Sequence, residues 1–170
     1  GSNCDFDALR YFDESFFIWH KETSLDVLDG MDLLVIPGGF AFGDRTYDKA
    51  TYAYKISPGT MAVKSPVSAV ILEAVTRKIP VLGICNGFQI LIQLGLLPGA
   101  LLSNENCKFT CKQVGCEIAE HKFKTNLYIA NSYGKYSISD KECDELENNN
   151  QIFLKYSDRV PEVGSLRNIA

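Results

Sequence analysis

Gly83-Ile84-Cys85-Asn86-Gly87-Phe88-Gln89 constrains this 170-residue chain more than any other stretch, because it joins a buried-strand pattern directly to a helical one. Ile79-Pro80-Val81-Leu82 reads as a short apolar strand, and Phe88 to Leu94 reads as a helix stopped by Gly95. A cysteine at that junction stands on a sharp turn. Glycines two residues before and two after it relieve the crowding that a strained elbow imposes on its neighbours. The helix that begins there directs its first N–H groups and the positive end of its dipole at the sulfur, which favours the thiolate. Most cysteines outside disulfides only pack. The reading of Cys85 as a nucleophile therefore rests on the coincidence of strand, paired glycines and helix around it.

The rest of the first hundred residues alternates in the same way. Asp5 to Asp13, with Phe6, Leu9 and Phe12 at three-residue spacing, predicts a helix, and Phe16-Phe17-Ile18-Trp19 a strand. Leu33-Leu34-Val35-Ile36-Pro37 is the fully apolar pattern of a parallel strand covered on both faces, and it ends at the glycine pair Gly38-Gly39. Ser65-Pro66 predicts the start of a helix that runs to Arg77, with serine at the cap and proline in the first turn. Strand and helix in alternation imply an α/β fold: three layers, a mostly parallel sheet covered by helices. After Gly99 the pattern changes to short alternating runs, Val114 to Ile118, Leu127 to Ala130, Tyr136 to Ile138 and Ile152 to Tyr156, all read as strands. The polar segment Ser139 to Gln151 reads as a solvated loop. There is no repeat and no low-complexity linker, so residues 1–170 are read as one domain.

Composition excludes several classes. With 17 basic and 21 acidic residues and no basic block, the chain is a poor partner for nucleic acid. No apolar run approaches the length of a membrane span, and the first residues lack the layout of a signal peptide. Six cysteines without an export signal fit free thiols in a reducing cytoplasm. Cys107, Cys111, Cys116 and His121 are near one another in sequence, but their spacing is not that of a structural zinc knuckle, so no metal site is expected.

LGICNGFQILIQLGLLPGALLSNENCKF, together with Gly1-Ser2-Asn3-Cys4-Asp5, with Leu34 to Asp44 and with Val160 to Ala170, resembles the glutaminase subunits of phosphoribosylformylglycinamidine synthase. The resemblance spans essentially the whole chain. G-x-C-x-G alone indicates only a wider superfamily, whereas GICNGFQ with PGGF and GLLPGAL is specific to this subunit. It implies a class I, or triad, glutamine amidotransferase, which hydrolyses glutamine to glutamate and ammonia through a cysteinyl acyl-enzyme. It further implies a synthetase subunit or domain as partner, ATP and magnesium bound in that partner, no cofactor in this domain, and purine biosynthesis as the setting.

Acyl transfer from a carboxamide needs a nucleophile, a proton acceptor, and donors aimed at the oxyanion. Cys85 is the candidate nucleophile. By resemblance the donors are the backbone N–H groups of Asn86 and Gly39, with Gly38 letting the backbone approach the substrate. Pro-Gly-Gly can also be an ordinary tight turn; its place at the end of a parallel strand, where open α/β sheets bind ligands, favours the functional reading. Gln89 is close to i+4 from Cys85 and shares its helix face. Resemblance implies that it helps hold glutamine, and a helix-surface glutamine is the plain alternative. Phe88 and Ile90 are read as core.

The base is absent from this pattern. His20 follows a strand early in the chain and His121 is flanked by Glu120, Lys122 and Lys124, so neither fits the triad position. The resemblance implies that the family's first strand precedes Gly1 and its His-Pro-Glu motif follows Ala170; Gly1-Ser2 has the look of a cloning scar, but Gly-Ser-Asn-Cys-Asp is also the family's own loop, and the native reading is favoured. At Ile129 to Tyr136, where the family reads Ala-His-Gly-Glu-Gly-Arg-Tyr in a loop that contacts the amino-acid end of glutamine, Asn131 and Tyr133 replace the histidine and glutamate. The stretch Arg45 to Lys64 also diverges and is lengthened. Two rivals stand beside the enzyme: a non-catalytic docking module of the same fold, and another cysteine-elbow α/β protein.

Overall fold

A run as apolar as Leu34-Val35-Ile36 calls for cover as a strand, and in the computed structural model Leu34 is buried and Ile36 packs against the same core. The structure describes residues 2, 4–39, 62–118, 123–163 and 165–170, which fall into two compact units, one centred on residues up to Leu97 and one on residues from Pro98.

In the first unit, α1 (Asp5–Leu9) and a 3-10 turn (Asp26–Leu28) precede β1 (Leu34–Ile36). Then come α2 (Val67–Thr76), β2 (Val81–Gly83) and α3 (Asn86–Gln93). β1 and β2 pair in parallel, with Leu34 opposite Val81 and Ile36 opposite Gly83. Parallel pairing requires a crossover, and α2 lies within it. Val70, Ile71 and Ala74 form the buried face of α2, and Ile90 and Leu91 that of α3; with Leu28 and Leu34 they make one apolar core.

The second unit is antiparallel. β4 (Thr110–Ile118) pairs with β5 (Phe123–Asn131) along its whole length, and its end also pairs with β7 (Leu154–Tyr156). β3 (Ala100–Leu102) pairs with β6 (Lys135–Ser137). Val114, Cys116, Val160 and Val163 form its core, flanked by Ile129, Leu154 and Tyr156. Burial pushes the Tyr156 hydroxyl up to about 12.

Three expectations change. The sheet is not mostly parallel: among the described residues only β1 and β2 pair that way. Only about four residues separate β4 from β5, too few for the crossover that parallel pairing needs, and β3–β6 and β4–β7 pair antiparallel as well. Phe16 to Trp19 is not a strand. No described strand pairs with it, and Phe16 and Trp19 are exposed, with the Phe17 ring edge-on to Phe6 at 5.2 Å. Ser139 to Gln151 is not a loop but carries α4 (Asp140–Asn148). Its start is a capping box: Ser139 Oγ accepts from the Glu142 N–H while the Glu142 carboxylate accepts from the Ser139 N–H. Cys143 and Leu146 face inward, so two apolar residues three apart suffice to dock a helix otherwise polar all round.

Candidate active site

The elbow is built by backbone contact. The Ile84 N–H donates to the Ile36 carbonyl at 3.0 Å, extending β2 past its last strand residue and bringing Cys85 to the end of the parallel pair. Cys85 has φ +52° and ψ −101°, a left-handed conformation that costs a non-glycine residue about 1–3 kcal/mol. It is exposed, and it immediately precedes α3, whose Gln89 N–H donates to the Cys85 carbonyl at 3.1 Å. All six cysteines are thiols outside disulfides.

Both elbow glycines are sterically required. A Cβ at Gly87 would lie 2.0 Å from the Ile36 carbonyl oxygen, and one at Gly83 would lie 2.7–2.8 Å from Leu91 and from the backbone of Gly87 and Phe88. β1, β2 and the first turn of α3 thus touch backbone to backbone, which holds the strained residue between them. Gly38 is buried beside this turn; a Cβ on it would sit 3.3 Å from Cys85 Cβ. Gly39 follows with φ +116°.

Asn86 opens α3, where the first N–H groups have no acceptor within the helix. Its side chain is buried and donates through Nδ2 to Gln89 Oε1 at 2.9 Å. Gln89 is therefore no surface residue: it is 4 % exposed and oriented by the first turn of the helix that carries Cys85. Ile90 is core, as expected, while Phe88 is half-buried.

His20 is exposed, with its ring edge-on to Trp19. Its carbonyl is the structural element, accepting from Ser65 Oγ and from the Val67 N–H at 3.3 Å. Ser65 therefore does not cap α2 through its side chain, as its position had suggested, but ties the helix start to residue 20. His121, the lengthened part of Arg45 to Lys64 up to residue 61, and Phe40 to Asp44 of the glycine-loop motif lie outside the described residues. Among the described residues no three of His, Cys, Asp and Glu cluster as a metal site, and no helix is long and apolar enough to cross a membrane.

Two polar residues were missed in the sequence. Ser2 accepts from the Cys4 N–H at 3.2 Å, donates through its hydroxyl to the Gly38 carbonyl, and has its own N–H held by the Asp5 carboxylate at 2.7 Å. Ser2-x-x-Asp5 has capping-box spacing, a legible signal. In the second unit Asn104, 1 % exposed, holds the 131–134 turn: Nδ2 donates to the Asn131 carbonyl at 2.8 Å, the Gly134 N–H donates to Oδ1 at 2.9 Å, and the Asn104 N–H donates to the Ser132 carbonyl at 2.9 Å. The departing residue Asn131 packs on Gly134, where a Cβ would lie 2.4 Å from its Oδ1. No sequence pattern singles out Asn104, since the turn it holds lies 27 to 30 positions away in the chain.

Known proteins resemble the chain along its length. A family model described as a CobB/CobQ-like glutamine amidotransferase domain matches residues 1–165. Phosphoribosylformylglycinamidine synthase subunit PurQ of Zymomonas mobilis is 37% identical, with 100% of this chain and 77% of the relative covered. PurQ of Aquifex aeolicus is 36% identical over 100% of this chain and 79% of its own length, and that of Wolinella succinogenes 38% over 100% and 78%. A solved structure, PurLQS from Thermotoga maritima, superposes with a TM-score of 0.75 at 31% identity, covering 100% of this chain and 76% of that one.

Proposed function

Because the chain belongs to the CobB/CobQ-like glutamine amidotransferase domain family, among the PurQ glutaminase subunits of phosphoribosylformylglycinamidine synthase, we propose that it hydrolyses glutamine to glutamate and ammonia through a thioester on Cys85. The observation that carries this reading is the exposed, left-handed Cys85 held on an elbow whose flanking glycines admit no side chain. The Cys85 sulfur attacks the carboxamide carbon. The N–H groups of Asn86 and Gly39 take the developing oxyanion. The C–N bond then breaks, ammonia leaves with the proton given up by the thiol, and water cleaves the thioester to glutamate. Gln89, whose Oε1 accepts from Asn86, is assigned to hold the substrate through its amide NH2. No residue is assigned as base: no described contact joins the exposed His20 to Cys85, and His121 lies outside the described residues.

The ammonia is delivered to a synthetase partner, in which ATP and magnesium do their work, and this domain needs no cofactor. PurQ is named as a subunit in each of these relatives, and the matching solved structure is the PurLQS assembly. The setting is cytoplasmic purine biosynthesis. The β1–β2 pair with α2 and α3 is taken as the parallel, helix-covered part of a three-layer class I fold, within a single domain over residues 1–170.

In the whole protein assayed with its synthetase partner, Cys85→Ala should lower glutamate release by roughly 10⁴- to 10⁶-fold with the fold intact. A glutamine-mimicking electrophile should label Cys85. Turnover retained in the variant, or labelling at Cys107 or Cys111 with Cys85 untouched, would overturn the mechanism.

A further inference from the structure

A peptide unit is planar and trans, so whatever holds its carbonyl also decides where its N–H points. The Gly38 carbonyl and the Gly39 N–H belong to one such unit, and the described residues contain no cis peptide. Glycines on both sides leave that plane free to rotate, since neither Cα carries a Cβ to favour one orientation. Something else must choose it. The Gly38 carbonyl accepts a hydrogen bond from the Ser2 hydroxyl.

The direction of that bond follows from the groups involved. A carbonyl oxygen can only accept, and the Cys4 N–H can only donate. Ser2 Oγ takes the Cys4 N–H on a lone pair, at 3.2 Å, which leaves its single proton for Gly38. Ser2 is itself fixed, because both oxygens of the Asp5 carboxylate accept from its N–H, at 2.7 and 2.8 Å, and its carbonyl accepts from the Asp5 N–H at 3.4 Å. The hydroxyl is thus an anchored donor applied to one peptide plane, and that plane borders Cys85 through Gly38.

We propose that Ser2 is a positioning residue for the glutaminase reaction: by holding the Gly38 carbonyl, it turns the Gly39 N–H to the opposite side of the peptide and presents it to the oxyanion. This rests on the reading of Gly39 as an oxyanion donor. The role assigned to Ser2 is exerted through the peptide, which makes it a positioning residue and not a catalytic one. Its contribution belongs to the tetrahedral state and not to the binding of glutamine, so kcat and KM should separate.

The test uses the whole protein with its synthetase partner. Ser2→Ala should lower kcat for glutamine roughly ten- to a hundredfold, less than the 10²–10³ that follows loss of a donor itself, with KM changed less than about twofold. It should weaken an aldehyde analogue of glutamine, which forms a tetrahedral adduct on the cysteine, by the same factor as kcat. Ser2→Thr, which keeps the hydroxyl, should restore both. Ser2→Cys keeps the shape with a weaker donor and should fall between them, so it serves if Ser2→Ala fails to fold. Wild-type kcat in Ser2→Ala or Ser2→Cys, or a rise in KM alone, overturns the proposal. Should those variants be unaffected while Cys85→Ala is inactive, only the role of Ser2 fails. Should Cys85→Ala turn over glutamine, the mechanism beneath it fails as well.

Discussion

The turn at Cys85 and the turn at 131–134 both end a strand and both depend on glycine, yet they are held by opposite means. At Cys85 the restraint is steric: Gly83 and Gly87 let β1, β2 and α3 meet backbone to backbone, and no side-chain hydrogen bond caps the helix. At 131–134 the restraint is polar, because Asn104 reaches in and pairs with three backbone groups of the turn. The first arrangement tolerates no added atom and the second no lost one. A nucleophile gains from the first kind, since the backbone beneath it is held by contact alone and cannot relax.

That contrast can be broken most severely at Gly87. Gly87→Ala puts a methyl 2.0 Å from the Ile36 oxygen, so β1 and α3 must separate. We expect a loss of about 3 kcal/mol or more, at the upper end of overpacking effects, together with loss of glutaminase activity. Chemical denaturation alongside turnover checks both, and near-wild-type values for stability and activity would refute the steric account.

Asn104→Ala is the matching deletion in the second unit. It leaves buried partners in the 131–134 turn unpaired, and about 1–3 kcal/mol should be lost. Asn104→Asp should also destabilise, because it removes the Nδ2 donor to the carbonyls of Asn131 and Lys108. Thermal unfolding distinguishes this from a steric device: Asn104→Ala as stable as wild type would show that the turn holds without its polar anchor.

The smallest effect is expected at the cap of α4. Ser139→Ala should cost about 1 kcal/mol. The Ser139 hydroxyl, and then its backbone N–H, hold the Glu142 carboxyl below its ordinary value of 4.5. A carboxyl lowered by folding contributes stability that is complete above that value and is lost as pH falls through the folded one. The acid side of a stability-against-pH profile should therefore flatten slightly in Ser139→Ala, and an unchanged profile would remove Glu142 from the cap.

Local pattern was enough to read the elbow from residues alone. An apolar run, a glycine, a cysteine, a second glycine and a helical repeat are contiguous, and backbone sterics act over just that range, so Cys85, β1, β2 and α3 were legible with their boundaries within a few residues. The helix of Ser139 to Gln151 was legible too, through its Ser-x-x-Glu spacing, although its polar composition concealed it. Tertiary structure alone decided the rest. Asn104 is recognisable only when β4, β5 and the 131–134 turn are brought to it, because hydrogen bonds between residues four to thirty positions apart leave no periodic trace. Phe16 to Trp19 has strand composition without a strand, because pairing belongs to a neighbour and not to the segment. Ser2 and Gly38 are thirty-six positions apart, so only the folded chain sets that hydroxyl on that carbonyl.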